Sequence, residues 1–168
     1  MELKVWGKTM MMIQKYLERV TRAIDSLVYK RTLTSVFVNS KNLTEQSAYF
    51  VTNNLIDLSE RKVKLINLNT ICSNALNGID KTNAKLLILK FVDGLQSREI
   101  ASLFGFSDRT YFRRLNEAYE DLEIWLRKNN FTEEYFRKNF KDEGWIMEVF
   151  YKNKEENKKE SFLNEEFM

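Results

Sequence analysis

Four side chains between residues 109 and 116 have the types and spacing of a surface that reads base pairs: Arg109, Arg113, Asn116 and, on their flank, Arg114. A guanidinium forks onto guanine, an Asn amide pairs with the edge of adenine, and either residue type holds a phosphate. For these groups to point one way, the segment must be a helix. Tyr111, Leu115, Ala118, Leu122 and Trp125 recur at spacings of four, three, four and three, which predicts one buried stripe. At about 100° per residue, Arg109, Arg113 and Asn116 then point away from it.

The residues just upstream supply what such a helix needs. Glu99-Ile100-Ala101 begins a short helix whose small Ala101 lets a second helix cross closely. Gly105 stands where the chain must reverse and a positive φ is cheapest. Ser107 caps the second helix, and Asp108 in its first turn suits the positive helix end. A helix-turn-helix is the result. Its candidate DNA-contacting residues are Arg98, Ser107, Asp108, Arg109, Thr110, Arg113, Arg114 and Asn116. Arg109, Arg113 and Asn116 are assigned to bases, and Arg98, Ser107 and Arg114 to phosphates. An ordinary solvated helical hairpin with idle arginines is the plain alternative, because Gly-x-Ser turns between helices are common.

From Leu86 to Leu122 the chain has a preceding apolar helix, Gly94-Leu95, Glu99-Ile100-Ala101, Gly105-Phe106-Ser107, then Ala118 and Leu122. This stretch resembles region four of bacterial sigma factors and the related domain of phage-type regulators of low-GC Gram-positive bacteria, ArpU-type late-gene activators among them. The resemblance implies a DNA-binding domain and contact with RNA polymerase. Two positions depart from it: Gln96 replaces the usual Thr cap, with Ser97 able to shift the start by one, and Arg114 replaces an apolar residue. No stretch upstream resembles the region with which sigma factors melt promoters.

Composition narrows the alternatives. The 168 residues include no Pro and five Gly, so long helices go uninterrupted and the expected fold class is all-α. There is no His, which removes the commonest general base and metal ligand. The single cysteine, Cys72, excludes an intramolecular disulfide and a cysteine cluster; beside Ile71 and Leu76 it reads as a small buried hydrophobe. Adjacent acids such as Glu133-Glu134 and Glu165-Glu166 diverge on a helix, and no glycine-rich phosphate loop is present. No enzyme activity, cofactor or metal is expected. No apolar run approaches the roughly 20 residues of a membrane span, and Met1 to Leu17 lacks the continuous core of a secretory signal, so the cytoplasm is the expected location.

Net charge is +3 and uneven. Residues 1–41 carry +5, residues 42–128 carry +1, and residues 129–168 carry −3. That is modest for a DNA-binding module and points to help from a dimer or from polymerase.

Along the chain, Met10, Ile13, Leu17, Val20, Ile24 and Leu27 alternate three and four apart. Such a seam packs inside the subunit or pairs with a second copy, and the spacing leaves both open. Thr32 to Val38 is β-branched, suggesting a frayed helix end or an extended segment, and Asn39 to Asn42 reads as a linker. A short amphipathic segment from Thr44 to about Asn53 leads to a helix beginning near Ser59, with Val63, Ile66, Thr70 and Leu76 on its inner side and Gly78 as its stop. Asp80 or Thr82 caps the next helix, which buries Leu86, Leu87 and Phe91 and stops at Gly94. The recognition helix runs to about Arg127. Thr132 caps another helix, with Phe131 and Phe136 as a hydrophobic staple. Phe136, Phe140, Trp145, Val149 and Phe150 form an aromatic face broken at Gly144, which is core or, failing that, a protein-contact surface. Lys152 to Glu160 reads as an exposed helical extension or as disorder, with Phe162, Leu163 and Phe167 as a docking element or frayed end beyond it.

The expected organisation is a helical region at 1–78, a helix-turn-helix domain at 79–130, an aromatic helix at 131–151 and a charged tail at 152–168. The expected function is a sequence-specific, phage-related transcriptional regulator, with double-stranded DNA as partner, RNA polymerase and a second copy as further partners, and no membrane. Two alternatives stand beside it: a DNA-binding protein like the small subunit of a phage terminase, and an anti-sigma or polymerase-binding module without DNA.

Overall fold

With no Pro to remove a backbone donor, long stretches of this chain can stay helical. The computed structural model describes the backbone of residues 2–38 and 45–166, and the side chains of residues 2–34 and 49–158. In order come α1 (Glu2–Val38), α2 (Glu45–Gly78), α3 (Lys81–Phe91), α4 (Ser97–Phe104), α5 (Asp108–Lys128), α6 (Glu133–Phe140) and α7 (Gly144–Glu166). Among the described residues there is no strand, and the all-α expectation holds.

The chain divides into two compact units, residues 1–15 with 71–168 and residues 16–70. In the smaller unit, Lys62 pairs with Asp25 at 2.5 Å and Arg31 donates to Asn54 at 3.2 Å. As the position on α1 rises from 25 to 31, its partner on α2 falls from 62 to 54, so the two stretches run antiparallel. Leu17, Ile24, Leu65 and Leu68 are buried there.

In the larger unit the first turns of α1 pack among the last helices of the chain. Trp6 is stacked between Phe136, at 5.2 Å, and Phe150, at 4.3 Å, and all three are buried. Burial of rings this size dominates a small core, and each aromatic pair adds about 0.5–1.5 kcal/mol beyond its area. Polar ties follow the same path. The Leu3 amide donates to Glu133 at 3.0 Å, Lys8 pairs with Glu156 at 3.1 Å, and the Asn153 amide donates to the Thr9 hydroxyl at 3.1 Å. Glu2 accepts from both Lys154 and Arg137, and these two contacts hold its carboxyl at about 2, below the ordinary 4.5.

Several local expectations need correction. Thr32 to Val38 continues α1 as helix, and α2 is one helix from Glu45 rather than a short segment followed by a second start near Ser59. Asn54 and Ser59 turn their side chains back onto the carbonyls of Phe50 and Leu55, both at 2.8 Å, so neither breaks the helix. The inner side of α2 is also different: Val63, Ile66 and Thr70 are exposed, whereas Leu65, Leu68, Ile71, Cys72 and Ala75 are buried. Cys72 is the buried hydrophobe expected, and burial pushes its thiol up to about 12. Gly78 ends α2 as foreseen, but space is what requires it, because a Cβ there would fall on the indole of Trp125.

Met10, Ile13, Leu17 and Ile24 are buried within the chain, which decides for internal packing along most of that seam, and Leu27 at its end is exposed. The aromatic segment forms two helices, α6 and α7, with Phe136, Phe140 and Phe150 in the core and Trp145 and Val149 half-buried. Phe131 stacks on Trp125 at 6.0 Å and meets the edge of Tyr135 at 5.2 Å, where a staple to Phe136 was expected. Residues 152–160 are helical, and Asn153 among them is buried, bonded to Thr9. The expected linker at Asn39 to Asn42 and the side chains of Phe162, Leu163 and Phe167 lie outside the described residues.

Candidate nucleic-acid interface

Three helices of the larger unit, α3, α4 and α5, pack on one another and carry the proposed reading surface. Asp80 caps α3 by accepting from the amides of Thr82, at 2.9 Å, and Asn83, at 3.1 Å. Leu86, Leu87 and Phe91 are buried on its inner side. The Asn83 side chain donates to Asp121 at 2.6 Å, and Phe91 lies 6.2 Å from Tyr119, so α3 is tied to α5 by both polar and aromatic contacts.

The turn is built locally. Gln96 is the residue before α4, and the Glu99 carboxylate reaches back to its amide at 2.7 Å. Glu99 thereby makes the reciprocal bond of a capping box to the Gln96 backbone, and the shift of the start to Ser97 does not occur. At the other end Gly105 has φ 67° and ψ 29°, a left-handed conformation that costs a side chain about 1–2 kcal/mol but glycine little. The Phe106 amide then bonds the Ala101 carbonyl at 2.8 Å, closing α4. Ala101 is buried at the crossing, as its size predicted.

Ser107 caps α5, accepting from the Thr110 amide at 3.2 Å, and its hydroxyl also lies 2.9 Å from that of Thr110. Tyr111, Leu115, Ala118 and Leu122 form the buried stripe as read from their spacing. Its far end is corrected: Leu126 is buried and Trp125 only half-buried, because the indole lies against Gly78 and Phe131. Tyr119 is a further buried residue that the stripe did not include.

On the opposite side Arg109, Arg113 and Asn116 are exposed; Asp108 and Arg114, on the flanks of the stripe, are exposed as well, and Thr110 is half-buried. Arg98 is exposed at the start of α4. Two residues that sequence reasoning missed complete this face. Glu117 lies between two of the arginines, 2.9 Å from Arg114 and 3.8 Å from Arg113. Spacings of three and four on one helix were the available signal. Phe112 is 57% exposed and falls three residues after Arg109 and four before Asn116, the same face by period. The surface therefore presents cations, an amide and an aromatic ring outward from a helix whose other side is locked into the core. Among the described residues no group of His, Cys, Asp or Glu could hold a metal ion.

The model of the ECF sigma factor family matches residues 38–128, more than half of the chain. The chain belongs to the ECF sigma factor family. A role in transcription related to that of sigma factors, through a DNA-binding domain, follows from this membership and from the helix-turn-helix it contains. The matched span runs from the last residue of α1 to the end of α5 and is wider than the Leu86 to Leu122 stretch whose motif carries the resemblance. Comparison with curated proteins and with solved structures gave no match. In this family member, no helix among the described residues is long and apolar enough to cross a membrane.

Proposed function

We propose that this ECF sigma factor family member is a sequence-specific DNA-binding regulator of transcription that also contacts RNA polymerase. Helix α5 enters the major groove, where Arg109, Arg113 and Asn116 meet base edges while Arg98, Ser107 and Arg114 hold phosphates. The observation that carries this reading is the outward face of α5: exposed Arg109, Arg113 and Asn116 on a helix fixed from behind by Tyr111, Leu115, Ala118 and Leu122. The Ser107 hydroxyl oxygen accepts the bond of the helix cap, and its O–H is the group that donates to a phosphate oxygen.

The test separates base contacts from phosphate contacts. Selection from random duplexes identifies the preferred site, and two variants are then titrated on it. Arg113→Ala costs about 1–3 kcal/mol on that site and relaxes sequence preference, whereas Arg98→Ala weakens all DNA alike and lowers the salt slope by about one ion. No enriched sequence at low salt, together with no effect of either variant, turns the motif into a protein-contact scaffold. The pairing of Glu117 with two of the arginines favours that second reading, since it offsets cationic charge on the face that meets DNA.

A further inference from the structure

We propose that Phe112 reads the 5-methyl group of a thymine in the major groove, beside the adenine edge met by Asn116. The proposal rests on the DNA-binding reading above and adds an apolar specificity element to it. Phe112 is 57% exposed, although the adjacent Tyr111 is fully buried. Its ring meets that of Tyr111 edge-on, with centroids 5.2 Å apart and planes at 73°. One edge is thus anchored on a core residue, which limits the rotamer freedom a contact must overcome.

The surroundings of the ring are polar and suited to DNA. Arg109, Phe112, Arg113 and Asn116 fall within an arc of about 100° on α5. Around that arc the order is Phe112, Asn116, Arg109, Arg113, so the ring adjoins the amide, while Glu117 follows on the far side of Arg113. Phe112 therefore stands at the end of the face away from the carboxylate that pairs with Arg113 and Arg114. Among major-groove atoms the thymine methyl is the apolar one, and an aromatic ring covers it well. Asn selects adenine. An amide and a ring one helical turn apart, at positions 112 and 116, therefore suit an A·T pair or two adjacent ones.

Deoxyuridine, which differs from thymidine only by the methyl group, supplies the probe. In the selected duplex each thymine is replaced singly by uracil, and affinity is measured for the wild-type chain, Phe112→Ala and Arg113→Ala. One replacement weakens wild-type binding about three- to fivefold, the effect of exposing one methyl group. Phe112→Ala binds the thymine duplex several-fold more weakly and is indifferent to that replacement, while Arg113→Ala keeps the penalty. The uracil series on the wild-type chain stands whatever the variant does to folding. Equal penalties in wild type and Phe112→Ala, or no penalty at any thymine, overturn the proposal while leaving DNA binding intact. Failure of the selection to enrich any duplex overturns the DNA-binding reading, and the proposal with it.

Discussion

Helix α5 carries its buried apolar residues on one side and most of its charges on the other, with only Phe112 and Ile124 as large apolar side chains among them, whereas α2 carries repeating apolar stripes on both. In α5, Tyr111, Leu115, Ala118 and Leu122 are buried and Arg109, Arg113 and Asn116 exposed, as their spacing requires. In α2, Leu65 and Leu68 are buried while Val63 and Ile66, which repeat at an equally helical spacing, are 55% and 45% exposed. The difference teaches that period fixes a helix but fixes its inner face only when one face is polar. Where two apolar stripes compete, the partner helix chooses between them.

The sharpest way to break this comparison is truncation on both helices. Leu122→Ala and Leu65→Ala each cost about 2–5 kcal/mol in chemical denaturation, because a cavity replaces a buried side chain. Ile66→Ala, one position from Leu65, costs less than about 0.5 kcal/mol, the ordinary size for a surface change. A larger loss at Ile66 than at Leu65 would mean that the faces of α2 are reversed.

A second measurement tests where α2 ends. Gly78→Ala brings a methyl group onto the indole of Trp125 and loses about 1–3 kcal/mol, the usual cost of overpacking. Trp125→Leu in the same chain relieves part of that loss, so the double variant is more stable than additivity allows. Additive losses, or stabilisation by Gly78→Ala alone, would refute close approach as the reason for this glycine.

The smallest expected effect concerns α1, whose apolar seam was internal along most of its length and whose first residue in the fold is charged. The Lys154 and Arg137 contacts lower the Glu2 carboxyl to about 2, so its stabilising contribution is complete above the ordinary 4.5 and lost as pH falls toward about 2. Thermal melts of wild type and Glu2→Gln therefore differ most at neutral pH and converge across that acid window. The carboxyl is half-buried at the surface, where solvent still screens the pairing, and the gap is correspondingly small. A gap that stays constant down to pH ~2 would show that Glu2 contributes packing rather than charge.

Phe112 and Glu117 show how much of the candidate site was legible. Both lie at helical spacings from Arg109, Arg113 and Arg114, so their placement was available from the sequence, yet attention to basic and amide groups passed over a ring and an acid. Cap geometry was more fully legible. Asp80, Ser107 and Thr132 bond amides two or three residues ahead, an interaction that needs no distant partner. At Gln96 the Glu99 side chain, three residues on, satisfies the backbone amide of the cap residue.

By itself, then, the sequence determined what depends on near neighbours: the helices allowed by the absence of proline, the turn at Gly105, the cap at Ser107 and the one-sided stripe of α5. Tertiary structure alone decided that Trp6 lies between Phe136 and Phe150, that Leu65 rather than Ile66 turns inward, and that the indole of Trp125 occupies the space over Gly78. The physical reason is range. A cap or a helical period is fixed by interactions within a turn or two, whereas hydrophobic burial is non-directional and takes whichever surface another part of the chain brings to it.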